Sequence, residues 1–143
     1  MSRSLKRLRR LVDIRRRQEE SARSALADSL RHASEISEEV RLRSEALGSV
    51  MSGATPVSRR QAEPLVDAAG NAIAAAKAAE SSAYATVEEI KKDWMATATR
   101  LQGAERLTQR ATEAERELEL SQDRVAVDEA VTSRSNKHEE GEE

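Results

Sequence analysis

Few side chains in this sequence could catalyse a reaction or hold a metal, and those few are scattered. There is no cysteine, and the two histidines, His32 and His138, stand far apart. No Walker glycine loop, dinucleotide fingerprint or His-Glu-x-x-His motif is present. Acidic neighbours such as Glu38 and Glu39 lie on an expected open helix surface, without the burial that acid–base catalysis requires. The sequence predicts a non-enzymatic protein without catalytic residues, metal or cofactor.

The amino-terminal segment carries the strongest charge signal, with eight basic residues against the single acid Asp13 in the first seventeen residues. Such a segment could bind nucleic acid, an anionic membrane or an acidic protein. It lacks the aromatic residues that stack on bases or anchor at a membrane interface, which disfavours the first two. We predict partner-binding roles for Arg7, Arg9, Arg10, Arg15, Arg16 and Arg17.

A second reading of this charge is internal neutralisation, which stays open beside docking on an acidic protein. Residues 113–129 supply seven acids, and they would lie beside or just beyond the basic segment in a hairpin. These acids are Glu113, Glu115, Glu117, Glu119, Asp123, Asp128 and Glu129.

Trp94 and Tyr84 are the two aromatic residues. Trp94 falls on the apolar repeat described below, where an indole more often packs than serves as an exposed recognition anchor. Tyr84 lies off that repeat and is the better candidate for contact with a partner. Both are retained as candidate partner-binding residues.

The composition predicts long helices. Leu, Ile, Val and Phe make up only 25 of 143 residues, which is low for a globular core, whereas Ala, Glu, Lys, Leu and Arg make up 80. The net charge of −2 argues against a disordered chain.

Two heptad repeats define the elements, and we call their positions the seams. The first is apolar at ten of fourteen positions: Leu5, Leu8, Val12, Arg15, Glu19, Ala22, Leu26, Ser29, Ala33, Ile36, Val40, Arg43, Leu47 and Val50. The second is apolar at thirteen of nineteen: Val66, Ala69, Ile73, Ala76, Glu80, Ala83, Val87, Ile90, Trp94, Thr97, Leu101, Ala104, Thr108, Ala111, Glu115, Leu118, Gln122, Val125 and Glu129.

The fold class that follows is all-α, a long antiparallel two-helix coiled-coil hairpin over residues 1–132. We expect helix one at about 3–50, a turn at about 51–55, helix two at about 56–132 and a disordered acidic tail at 133–143. Pro64 either kinks the second helix or starts it after a separate short turn. Reflection about residue 54 places Leu5 opposite the region of Ala104, so that the second helix overhangs the first. Because many seam residues are alanine, we expect marginal stability and stabilisation by a partner.

Two stretches of the sequence have a distinctive pattern. The first is the run LKRLRRLVDIR at residues 5–15, followed by Glu19, Glu20, Ala22, Leu26 and Ala27. The second comprises Trp94, Ala98, Arg100, Leu101, Glu105, Arg106, Leu107, Glu115, Arg116, Glu117, Asp128, Glu129 and Ala130. In these stretches the chain resembles the start and the second helix of the flagellar export protein FliJ and its relatives. The chain resembles the stalk proteins of virulence-type secretion systems almost as closely.

The resemblance implies the central stalk of a type III export apparatus. The joined termini would insert into the hexameric export ATPase ring, and the shaft would contact the export gate membrane protein and recycle substrate chaperones. The expected location is the cytoplasm, peripheral at the inner face of the cell membrane, with a monomeric hairpin. The alternatives are a basic coiled coil on nucleic acid or an anionic membrane, and a homo-oligomeric scaffold.

Overall fold

A computed structural model describes residues 2–53 and 55–141, including all their side chains except those of Pro56 and Val57. Two helices account for nearly all of these residues: α1 (Arg3–Ser52) and α2 (Pro56–Gly141). They pack against each other as the all-α helical hairpin predicted from the sequence.

Both ends of α1 follow from local hydrogen bonding. At its start the Ser2 hydroxyl accepts the Leu5 amide at 3.1 Å, which satisfies one of the amides that have no acceptor in the first turn. At its end the Gly53 amide donates to the Ser49 carbonyl at 3.3 Å, after the last helical residue, Ser52. The helix thus runs two residues past the predicted end, and Ala54 of the predicted turn lies outside the described residues.

The start of α2 is capped by Thr55 and Ser58. The Thr55 hydroxyl accepts the Ser58 amide at 3.3 Å, and the Ser58 hydroxyl accepts the Thr55 amide at 2.8 Å. Pro56 takes the first helical position, where its missing amide costs nothing. Pro64 lies inside the helix. Its missing amide removes one intrahelical bond without ending α2, so residues 56–63 are neither a separate turn nor a separate helix.

The hairpin divides into two compact units, each built from both helices. The terminal unit comprises Met1–Arg16 and Arg100–Glu143, and its buried apolar residues are Leu5, Val12 and Ala104. The loop unit is Arg17–Thr99. It buries Ala33, Val40, Ala83 and Val87, with Leu26 and Ile36 packed against the cluster of Ala33, Ala83 and Val87.

The burial pattern confirms most of the two predicted seams. In α1 every seam residue from Leu5 to Val40 is buried or half-buried. In α2 the covered seam residues run from Val66 to Glu115. From residue 116 to residue 141 every residue is exposed, so this part of α2, which we call the overhang, is not covered by any other described part of the chain.

The register differs from the predicted one. Within the terminal unit the Ser2 amide donates to Glu115 Oε1 at 2.8 Å, and Arg16 Nη2 lies 3.8 Å from Glu105 Oε1. Leu5 therefore faces the stretch between Glu105 and Glu115, and its predicted position opposite Ala104 is wrong by roughly one heptad. A seam that repeats every seven residues looks alike after a shift of seven, so reflection about a turn cannot select the register.

The structure also differs from the prediction of a disordered tail from Ser133. Helix α2 continues to Gly141, and Glu142 and Glu143 lie outside the described residues. Residues 133–140 contain neither proline nor glycine, and extending an existing helix avoids the cost of nucleating a new one.

Candidate functional site

A polar cluster inside the loop unit links the two helices. Glu19 is 4% exposed, and it is the one charged residue that is buried within residues 2–53 and 55–141. Its Oε1 accepts three hydrogen bonds, from Trp94 Nε1 at 3.1 Å, from Arg23 Nε at 3.1 Å and from Arg23 Nη2 at 2.6 Å. The hydrogen bond from Trp94, and then that from Arg23, lowers the pKa of the Glu19 carboxyl. The carboxylate is therefore held charged inside the seam.

The cluster places Trp94, a predicted partner-binding residue, among the half-buried seam residues with its N–H engaged. Sequence reasoning counted Glu19 merely as a charge that interrupts the seam. The sequence did contain a signal for the Glu19–Trp94 hydrogen bond, namely a carboxylate on one seam and an indole on the other. A buried indole N–H requires an acceptor, and Glu19 could supply it.

Tyr84 is 43% exposed, and its hydroxyl lies 3.2 Å from the Ser37 hydroxyl on the other helix. The Tyr84 hydroxyl thus bonds across the hairpin within the loop unit, while nearly half of the residue stays exposed to solvent.

The six predicted arginines are divided between the two units. Arg7, Arg9, Arg10, Arg16 and Arg17 are exposed, whereas Arg15 is half-buried and engaged. Arg16 lies 3.8 Å from both Asp13 and Glu105. Arg17 belongs to the loop unit, so the structure brings together in the terminal unit only the other five.

Internal neutralisation of the basic segment is limited in the described part of the terminal unit. Glu105 meets Arg16, and Glu115 accepts the Ser2 amide, with Arg9 as a nearby charge. The hydrogen bonds from Ser2 lower the pKa of the Glu115 carboxyl. The other acids predicted to neutralise the segment are all exposed, and within residues 2–16 and 100–141 the ion pairs of the segment join Arg16 to Asp13 and Glu105.

The overhang exposes large apolar side chains on two faces. Leu118 and Val125 continue the α2 seam and are 59% and 54% exposed. Leu120, Val127 and Val131 lie on the other side of the helix and are equally uncovered. Isolated exposed leucines are ordinary, but a seam that continues past its last intramolecular partner indicates an interaction surface.

An apolar groove of about 440 Å³ lies in the loop unit near the helix connection. Leu47, Val50, Leu65, Val66 and Ile73 line it together with several alanines. Leu65 is 74% and Val50 is 59% exposed. Sequence reasoning placed most of these residues in closed seams and missed the groove, which exists because alanine side chains are too short to fill the space between the helices.

No group of three histidine or acidic side chains is placed to hold a metal within residues 2–53 and 55–141. No helix in that part of the chain is both long and apolar enough to cross a bilayer.

Comparison with known proteins then decides the family. The model of the flagellar FliJ protein family matches residues 4–140, which is nearly the whole chain. The chain belongs to the FliJ family. No curated protein and no solved structure matches it significantly. The FliJ family is a non-enzymatic component of the flagellar export apparatus, and membership supports a general role of this chain in that apparatus.

Proposed function

We propose that this protein is the central stalk and adaptor of the flagellar type III export apparatus. Its terminal unit binds the hexameric export ATPase ring, and its loop unit contacts the export gate membrane protein and substrate chaperones. It acts as a monomeric hairpin in the cytoplasm, peripheral at the inner face of the cell membrane.

The observation that carries the proposal is the uncovered overhang, which belongs to the same unit as the basic start of α1. Leu118 and Val125 continue a seam whose other side is empty after Glu115. Burial of such side chains contributes roughly 1.5–3 kcal/mol each, which a partner surface can gain. Arg7, Arg9, Arg10 and Arg16 of α1 are exposed and belong to the same unit, so the terminal unit offers apolar contact and positive charge together.

Binding to the ATPase is tested with purified hexamer, by measuring affinity and stimulation of ATP hydrolysis. The wild-type chain should bind and stimulate. Replacing two overhang residues, Leu118→Ser with Val125→Ser, should weaken binding by at least about tenfold, because two buried apolar contacts are lost.

The matched control is Leu30→Ser with Leu42→Ser in the loop unit. These leucines are 47% and 53% exposed, so the control changes the same kind of side chain at similar exposure. It should bind the ATPase as the wild type does. Failure of the wild-type chain to bind the hexamer even at low salt would reject the stalk proposal.

The apolar groove is our proposed contact for the cytoplasmic part of the export gate protein. Leu65→Asp places a charge at its most exposed edge, where it should abolish capture of the gate while leaving ATPase binding intact. Equal loss of both partners would instead indicate that the variant has disrupted the hairpin. Unchanged capture of the gate would place that contact elsewhere.

A further inference from the structure

One face of α1 in the terminal unit carries a line of basic residues that neither the fold nor the ion pairs use. Arg3, Arg7, Arg10 and Ile14 follow one another at spacings of four, three and four residues, which aligns them along one side of a helix over about 16 Å. We call these four residues the outward stripe.

Burial shows that the stripe points away from the second helix. On the seam side of the same segment Leu5 is 3% and Val12 is 8% exposed. Arg3, Arg7 and Arg10 are exposed. Ile14, the apolar member of the stripe, follows them along the helix and is 51% exposed. About half of Ile14 is therefore left uncovered by the fold.

The flank of α1 nearer to α2 behaves differently. Arg16 lies 3.8 Å from Asp13 and from Glu105, and Arg9 is close enough to act on the Glu115 carboxylate. Within residues 2–16 and 100–141, no ion pair is formed by Arg3, Arg7 or Arg10. The basic residues of α1 thus form two groups. Arg9 and Arg16 on the flank stabilise the hairpin, whereas the arginines of the outward stripe form no ion pair in the described part of the terminal unit.

We propose that the outward stripe docks an acidic helix of a protein partner, which packs along α1 as a third helix. Carboxylates spaced three and four residues apart on the partner face Arg3, Arg7 and Arg10, and an apolar side chain packs on Ile14. This inference rests on the proposed function, since it assigns the acidic helix to the export ATPase.

The shape and charge of the terminal unit favour a helix over a membrane or a nucleic acid. The stripe is one residue wide, and its single apolar member is too little to anchor at a bilayer interface. The same unit contains the exposed acids Glu113, Glu117, Glu119, Asp123 and Asp128, which repel an extended polyanion. A helix is narrow enough to confine its contact to the stripe.

The experiment compares two variants with the same change in net charge. The stripe variant is Arg7→Glu with Arg10→Glu, and the flank variant is Arg9→Glu with Arg16→Glu. Affinity for the export ATPase hexamer is measured at low and high salt, and the thermal midpoint of each variant is measured alone. Circular dichroism checks that both remain helical.

The stripe variant should bind at least about tenfold more weakly with an unchanged thermal midpoint. The flank variant should bind within about threefold of the wild type but melt earlier, because it sets like charges against Asp13 and Glu105. Equal weakening by both variants, or wild-type binding by the stripe variant, overturns the inference and leaves ATPase binding itself established. No binding by the wild type rejects the proposed function.

Two further readouts name the partner chemistry. A photo-cross-linking benzoylphenylalanine in place of Ile14 should capture a segment of the ATPase with carboxylates at three- and four-residue spacing. Capture of a segment without them overturns the inference. Binding to phosphatidylglycerol vesicles and to duplex DNA is measured as well. If either is bound more tightly than the ATPase, and the stripe variant loses that binding, the inference is overturned in favour of a polyanion.

Discussion

The contacts of Glu19 decide how a charged residue can occupy a coiled-coil seam. A carboxylate removed from water destabilises a protein unless its oxygens are bonded, and here one oxygen accepts bonds from Trp94 and Arg23. A buried polar pair of this kind is satisfied in one register of the helices, because a shift by one heptad separates its members. Glu19 and Trp94 therefore select the register that the alanine-rich seams leave open.

The lowered pKa of Glu19 predicts a particular pH dependence of stability. A carboxyl whose pKa is lower in the folded than in the unfolded protein stabilises the fold above its unfolded-state pKa of about 4.5. This contribution is lost as the pH falls through the folded-state pKa. The wild type should therefore exceed Glu19→Gln in urea midpoint near neutral pH, and the difference should shrink as the pH falls below 4.5.

Urea titrations of both proteins between neutral and acidic pH measure this difference. Glu20→Gln is the matched control, since Glu20 is an exposed neighbour without a hydrogen bond of this kind. A difference between wild type and Glu19→Gln that stays constant across the acidic range would contradict the assigned role of the carboxylate.

At the scale of the helices, pairing in the loop unit depends on small side chains. Ala33 is completely buried and packs in one cluster with Ala83 and Val87. Alanine lets the two backbones approach closely but buries little apolar area, so the pairing gains its specificity from a few positions.

This pairing predicts which engineered cysteines can be joined. Ala33→Cys with Ala83→Cys should form a disulfide under mild oxidation, because both residues belong to the same cluster. Ala33→Cys with Ala76→Cys, one heptad away on the same seam, should remain reduced. Gel mobility without reductant distinguishes the two, and preferential oxidation of the second pair would show that the register is shifted.

The glycines within the helices reduce stability without any packing role. A Cβ added at Gly103 would meet no atom within 4 Å. Gly103→Ala should raise the free energy of unfolding by about 0.5–1 kcal/mol, because alanine loses less backbone entropy in a helix. Gly53→Ala is the control outside the helices, and its effect on the thermal midpoint should be smaller. A lower midpoint for Gly103→Ala would indicate a close contact at that position.

For the whole molecule, the small amount of buried apolar surface makes stability depend on partners. No large side chain among the described residues is fully buried, and three of the seven buried apolar residues are alanines. A partner that binds only the folded chain raises its free energy of unfolding. At a partner concentration of about 100 times the dissociation constant, the increase is about 2.7 kcal/mol. The thermal midpoint should therefore rise with ATPase hexamer.

Melting is followed by the tryptophan signal of Trp94, with the overhang variant Leu118→Ser and Val125→Ser as the control. The hexamer should raise the midpoint of this variant less than that of the wild type. An unchanged wild-type midpoint at saturating hexamer would contradict partner stabilisation.

The sequence by itself determined the two helices, the seams, the hairpin and the segregation of basic and acidic charge. Periodicity reveals the apolar face of a helix because side-chain direction repeats with the backbone. It could not reveal which residues meet across the seam, since a seven-residue repeat is compatible with several registers. Only the tertiary structure joined Glu19 to Trp94, divided the arginines between stripe and flank, and left the groove at Leu65 open, because these depend on distances between helices.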